Sequence, residues 1–264
     1  RQAVSPVWEI DDKKRDSFLH GWQDQHIDTK RVTEAIETIS GQQIEDAKDP
    51  YLSEELYHQR AAYRVKHFAT DELRPLLQEM KKRGVTVEEF AGDRGYLHMR
   101  HAEHRNKVIA ARNDELPDGG SGVKTSEARQ YLAEIPIDKL KDYQALASLV
   151  DAMVAKTRAT LVGYGLESQK TVDLWAAAFG EHYVPLGRSD FENDTNYGIG
   201  QGFSVKGKAS KSAIGSERAV ADILAQIALQ RERAIVRGEK NRVALAVYGL
   251  AKSNPNPDWW QADR

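Results

Sequence analysis

YLHMRHAEHRN, residues Tyr96 to Asn106, sets His98, His101 and His104 three residues apart. On a helix they fall at roughly 0°, 300° and 240°, an arc of about 120°. Three readings are open: a metal site, a nucleic-acid contact, or part of a helical scaffold. Helical chelation works best at i, i+4, as in H-E-x-x-H, and the stretch has no such pair. Leu97, His101, His104 and Val108 share one stripe, at i, i+4, i+7 and i+11. The expectation is that His101 and His104 are partly buried and hydrogen-bonded at a helix interface. The alternative is a metal-dependent enzyme built on the histidines.

Helical signals continue on both sides. Thr86-Val-Glu-Glu89 is a capping box, a hydroxyl cap with a glutamate three residues on. The helix it opens is expected to break at Gly92 or Gly95. After Asn113 comes LPDGGSG, residues 116 to 122. Pro117-Asp118-Gly119-Gly120 is a turn signal, since proline presets one dihedral and glycine supplies positive φ. Thr125 or Ser126 is expected to cap the next helix.

Upstream, helical spacing runs from about Asp11 to Ser40, through Val32, Ile36 and Ile39, with Gly41 to close it. Asp49-Pro50 opens a second helix, with Leu52, Leu56 and Tyr63 on one side, and a third start is read near Thr70. Downstream, Leu140, Tyr143, Ala147, Val150 and Val154 mark an amphipathic helix over 137–161, and another follows over 168–179. Residues 183–216 hold six glycines and no helical period. A last helix is read from Ser216 to Lys252, where Gly238 is a candidate break. The resulting fold class is mostly α: an elongated multi-helix bundle with one long Gly-rich irregular loop or short hairpin near 183–216. The chain divides at the turn into an N-terminal helical part, 1–122, and a C-terminal helical part with the loop, 123–264. Together they read as one continuous module.

Composition narrows the chemistry. Of 264 residues, 40% are hydrophobic and 30% charged, and the net charge is −2. A core is affordable, but no global field draws the chain to DNA or an anionic membrane. The absence of cysteine removes disulfides, thiolate metal sites and cysteine nucleophiles. No apolar run approaches the roughly 18 residues of a membrane span, and no signal-peptide pattern opens the sequence. The first residue is Arg1 rather than Met, so the chain is expected to be an excerpt or a processed product.

Other motifs fail on inspection. GFSVKGKA, residues 202 to 209, approaches a P-loop, but Ala209 lacks the hydroxyl that would hold magnesium. Asp11-Asp12, Glu54-Glu55 and Glu88-Glu89 sit at helix starts, where acids favour the dipole. From 204 to 242 there are nine Lys or Arg against four Asp or Glu. Within that run, Lys206, Lys208, Lys211 and Arg218 are candidate phosphate contacts. The plainer reading is a solubilised loop. Trp259-Trp260 is either an interaction patch or packs back on the bundle. No cofactor and no catalytic set is assigned.

Several stretches together resemble a known family. Tyr96–Asn106 is similar to a YLxxRHAxERN block, and NDELPDGGSG (residues 113 to 122) to the LPDGGSGM turn that follows it. YVPLGR (residues 183 to 188) resembles the core of the PLxRFG motif. Glu239–Val243 and Asn254–Pro257 resemble later blocks. These blocks occur in large polyvalent-protein-associated domains of giant phage and mobile-element proteins, and the likeness spans about residues 10 to 260. Two departures stand out. His104 replaces the family's Glu, and Ser189-Asp190 replace the Phe-Gly after Arg188.

The resemblance implies a non-enzymatic structural and interaction module of an internal virion, or ejection, protein. It would be delivered with the genome and packed against copies of itself or other virion proteins. Its location would be the virion, then the host periplasm or cytoplasm. Any catalytic activity is expected in other domains of the longer chain. The alternative is a DNA-binding or antirestriction module acting in the newly infected cell. The motif residues the resemblance singles out are Arg100, His101, Arg105, Asn106, Asp118, Gly119, Gly120, Tyr183, Pro185, Leu186 and Arg188. Asn106 and Arg100 are expected to make side-chain hydrogen bonds inside the module.

Overall fold

A computed structural model describes residues 27–46, 48–180, 182–187, 220 and 222–254. The fold is mostly α, with no β-strand among the described residues. The helices are α1 (Ile27–Ser40), α2 (Pro50–Phe68), α3 (Arg74–Lys82), α4 (Val87–Ala91), α5 (Tyr96–Ala110), α6 (Thr125–Glu134), α7 (Ile137–Gly163), α8 (Gln169–Phe179) and α9 (Ile223–Ser253). The described residues form two compact units, one of residues up to 59 and from 240, the other of residues 60–239. The helices on either side of the turn, α5 and α6, pack on each other within one unit.

In the first unit, Asp49 starts α2 as the sequence implies. Its carboxylate accepts from the backbone N–H of Tyr51 (2.8 Å) and Leu52 (3.2 Å). Gly41 closes α1 at φ +67°, donating to Glu37 O. Ile39, read as an apolar-face residue, is exposed. Tyr57, Val243 and Leu250 are buried.

In the second unit, no new helix starts at Thr70. The chain passes from α2 through a π-helical turn, Ala69–Leu73, directly into α3. Pro75 supplies the cause. It has no N–H for an i→i−4 bond and its ring crowds the carbonyl four residues back, which a widened turn relieves. The Thr70 hydroxyl donates to Lys66 O and His67 O and caps nothing downstream. On the part of α2 that belongs to this unit, Ala61 and Phe68 are buried, while Tyr63 points to solvent.

The capping box at α4 is formed in both directions, Glu89 N to Thr86 Oγ1 (3.3 Å) and Thr86 N to Glu89 Oε1 (3.1 Å). Gly92 ends that helix and Gly95 precedes α5. The core of this unit gathers Leu76, Met80, Phe90, Leu97, Leu146, Val150, Val184 and Ile223. The period expected over 137–161 therefore supplies one wall, with Tyr143, Ala147 and Val154 also buried. Burial of such side chains contributes roughly 1.5–3 kcal/mol each.

Gly238 does not divide α9, which runs unbroken from Ile223 to Ser253. A Cβ at Gly238 would lie 2.2 Å from the Tyr164 ring, so glycine is there to let that ring rest on the helix. Of the Gly-rich region, only the stretch up to Gly187 is described, and it is neither helix nor strand. Arg188, Lys206, Lys208, Lys211, Arg218, the P-loop-like stretch and Trp259-Trp260 lie outside the described residues.

Candidate functional site

Three of the five resemblance blocks, separated in sequence, meet on α5. Its first turn is buried on all sides, through Tyr96, Leu97, His98 and Met99. Farther along, Ala102, Asn106 and Ile109 face inward. His104 is exposed and Val108 only half-buried, so the expected stripe of 97, 101, 104 and 108 is displaced. The reason is that α5 is covered by α6 on one side and by α8 on another, which leaves 103, 104 and 107 to the surface.

The turn side is a closed polar network. Asn106 Nδ2 donates to Asp118 Oδ1 (2.9 Å), Val123 O (2.9 Å) and Thr125 Oγ1 (3.1 Å). Its Oδ1 accepts from the backbone N–H of Ser121 (2.7 Å). Asp118 collects Gly119 N (2.9 Å), Thr125 N (3.1 Å) and the Thr125 hydroxyl (2.6 Å). These donors, Thr125 first, hold the Asp118 carboxyl below its ordinary range. Asp118 thus caps α6 from seven residues upstream. The cap expected of Thr125 or Ser126 is not made: Thr125 is already helical, and its hydroxyl donates to Asp118 and accepts from Asn106 instead of taking a helix N–H. Gly119 and Gly122 take positive φ, 81° and 99°. Gly120 passes so close that a Cβ would sit 2.6 Å from Ile109 Cγ2.

His98 belongs to this network. It is fully buried, with Nε2 3.0 Å from Ser121 O and Nδ1 3.1 Å from Arg94 N. These partners fix one neutral tautomer, in which Nε2–H donates to the carbonyl and Nδ1 accepts the amide. Asp93 Oδ1 lies 3.6 Å from Nδ1, but it accepts from Val220 N (3.0 Å) and is a neighbour rather than an ion-pair partner. Arg94 reaches His98 at φ +59°, the one non-glycine residue with positive φ among the described residues. With both ring nitrogens engaged, His98 has no lone pair left for a metal.

The opposite side of α5 is built differently. Arg100 forks onto Asp151 (2.7 and 3.0 Å), and His182 Nδ1 lies 3.1 Å from the same carboxylate. The hydrogen bonds expected of Asn106 and Arg100 are both present. His101 is 1% exposed, and neither ring nitrogen has a hydrogen-bond partner, against the expectation of a bonded interface histidine. Burial, then the nearby charge of Arg105, pushes its pKa down to about 3, so the ring is neutral at ordinary pH. Its ring meets Tyr183 edge-on at 5.5 Å between centroids. Tyr183 in turn packs on Phe179 (5.4 Å). Val184, Pro185 and Leu186 are buried, and the first and last join the core. Gln226 on α9 pins this segment by accepting Gly187 N–H and donating to Gly187 O.

Among the described residues, no group of three or more His, Cys, Asp or Glu side chains is placed to hold a metal ion, and no helix is long and apolar enough to cross a membrane. Asp151 and Gln226 carry no signal in the sequence, and the burial of His98 and Glu239 is not expected from it. Glu239 lies in the later resemblance block and is fully buried. Its carboxylate accepts from Arg60 Nε (2.8 Å), Arg64 Nε (2.9 Å) and the Tyr164 hydroxyl (2.5 Å). Only its place in that block could have drawn attention to it, since an acid between Gly238 and Lys240 reads as surface. No family model, curated protein or solved structure matches the chain.

Proposed function

We propose that the chain is a structural and interaction module of a phage internal virion protein, ejected with the genome and assembled with copies of itself or with other virion proteins. One observation supports this reading above others. Asn106, Asp118, Arg100, Val184 and Leu186, all described residues of the resemblance blocks, are engaged in holding the fold. Asn106 and Asp118 close the turn, Arg100 grips Asp151, and Val184 and Leu186 fill the core. Side chains engaged in this way maintain a shape instead of being presented to a substrate. Mass spectrometry of purified virions tests the proposal. A definite copy number per particle is expected, and absence of the polypeptide from particles would overturn it.

The DNA-binding or antirestriction alternative drew on two basic stretches, 206–218 and 231–242. Arg231 is taken up internally, bonded to Thr160 (3.0 Å) and Glu72 (3.3 Å), which weakens its part in this alternative. A salt-dependent DNA affinity that falls when Lys206, Lys208 and Lys211 are replaced would favour it over the first.

A further inference from the structure

We propose that the cluster where α5, α7 and α8 meet residues 182–187 binds a phosphate-class oxyanion, gripped by Arg105 and Arg158 around the Tyr183 hydroxyl. The proposal stands independently of the virion reading. It starts from a charge imbalance. Arg105 lies over the Phe179 ring at 5.6 Å and Arg158 over the Tyr183 ring at 5.3 Å. Among the described residues neither guanidinium has a carboxylate partner, and Arg105 Nε is buried without any hydrogen bond. The carboxylate that bears on Arg158, Asp151, is already shared by Arg100 and His182. No carboxylate bears on Arg105: only the Tyr183 phenol favours its charge, and Arg112 opposes it. Burial pushes both guanidinium groups below their ordinary range.

Both guanidinium groups are only half-buried, but a partly desolvated cation without a counter-charge is unfavourable, and such groups are ordinarily paired. The C-terminus of α8, which ends at Phe179, supplies only about half a negative charge for two cations. The second observation is His101. It is an almost fully buried polar ring whose nitrogens bond nothing, set edge-on against Tyr183 and so backing the same cluster. Two planar forks and a phenolic hydroxyl, mounted on aromatic rings, are the donor set that suits a tetrahedral oxyanion. Each fork can donate two parallel N–H bonds, and the ring stacking holds the forks in place. No chemical step is implied, only recognition. The phosphate can come from a free phosphate or nucleotide, or from a nucleic-acid backbone.

The test is titration of the full chain at fixed pH and fixed ionic strength with sodium phosphate, and separately with a short single-stranded oligodeoxynucleotide. Calorimetry and NMR of the His101 and Tyr183 rings provide the readouts. Saturable phosphate binding is expected to move both ring signals, with affinity at least ten-fold weaker in Arg158→Gln and in Arg105→Lys, which keeps the charge but loses the fork. If the oligonucleotide binds with the same dependence and phosphate displaces it, the source is a nucleic-acid backbone. If phosphate alone binds, the source is a small ligand. No saturable binding of either, or binding that leaves the two rings unmoved, overturns the proposal. The wild-type arm decides even if a variant fails to fold.

Discussion

The two sides of α5 solve the same problem in opposite ways. Toward the 118–125 turn, the buried polar side chains Asn106 and His98 are matched, donor to acceptor, by backbone groups and by Asp118. Toward α8 and residues 182–187, His101 and Arg105 are packed against aromatic rings and left without hydrogen bonds at their buried nitrogens. His98 and His101 stand one helical turn apart and are equally buried, yet one has both ring nitrogens bonded and the other neither. A satisfied network fixes one geometry, because any shift strands a partner in a low-dielectric interior. Packing without polar partners fixes shape less tightly and leaves charge to be balanced. The first side is therefore a structural lock, and the second is where a ligand has something to add.

The largest expected effect comes from cutting the lock at its centre. Asn106→Ala removes the acceptor for Ser121 N–H, takes one of two donors from Val123 O (the Ser121 hydroxyl remains), and takes donors from Asp118 and Thr125. Stranding buried groups costs about 1–3 kcal/mol each, so a loss of about 3–5 kcal/mol in urea denaturation is expected. A loss under about 1 kcal/mol would mean that the turn folds independently of α5, and the contrast between the two sides would collapse.

Next in size is His98→Leu. The volume is nearly kept, but Ser121 O and Arg94 N–H each lose a partner, and Arg94 loses the bond that accompanies its positive φ. The expected cost is about 2–4 kcal/mol by the same reasoning. Hydrogen exchange at the amide of Arg94 should accelerate with it. Unchanged exchange there would show that this amide is protected by something other than the ring.

Much of this fold was legible in the sequence. Period, caps and turn chemistry located α4, α5, α7 and α8 to within about two residues, because those signals are local. The Thr86–Glu89 capping box needs only residues three apart, and Asp49-Pro50 needs only neighbours. What was not legible depended on distant residues. Asp118 caps α6 from the far end of a turn. The π turn answers Pro75 from within a helix that shows no break in pattern. Gly238 reads as a helix breaker until the Tyr164 ring is seen lying on it. The histidines show the same limit. Spacing alone removed the i, i+4 chelate, but it selected His104 for burial and passed over His98. Which arc of α5 is buried was decided by α6 and α8 together, and no property of the eleven residues encodes that.

The subtlest expected effect concerns pH and His101, and it separates the two sides most sharply. The unfolded ring titrates near 6.5, whereas the folded ring is held neutral down to about 3. A folded pKa below the unfolded one means that the unfolded chain takes up the proton first. Its stabilising contribution is therefore complete above pH 6.5 and is lost as pH falls toward 3, at up to about 1.4 kcal/mol per pH unit. Between pH 6.5 and 5 the carboxylates with lowered pKa, Glu45, Asp71, Glu103 and Asp118, are ionised in both states and contribute little slope. Replacing the ring with leucine should matter little at pH 7. The change gives up an edge contact with Tyr183 but also removes two unbonded nitrogens from the core, so stability should stay within about 1 kcal/mol of wild type. The same His101→Leu variant should show a flatter decline on the acid side. Urea midpoints measured at half-unit steps from pH 7 to 5 read both effects at once. A large loss at pH 7, or an unchanged acid slope, would show that the His101 nitrogens are bonded after all, and the two sides of α5 would then follow one rule.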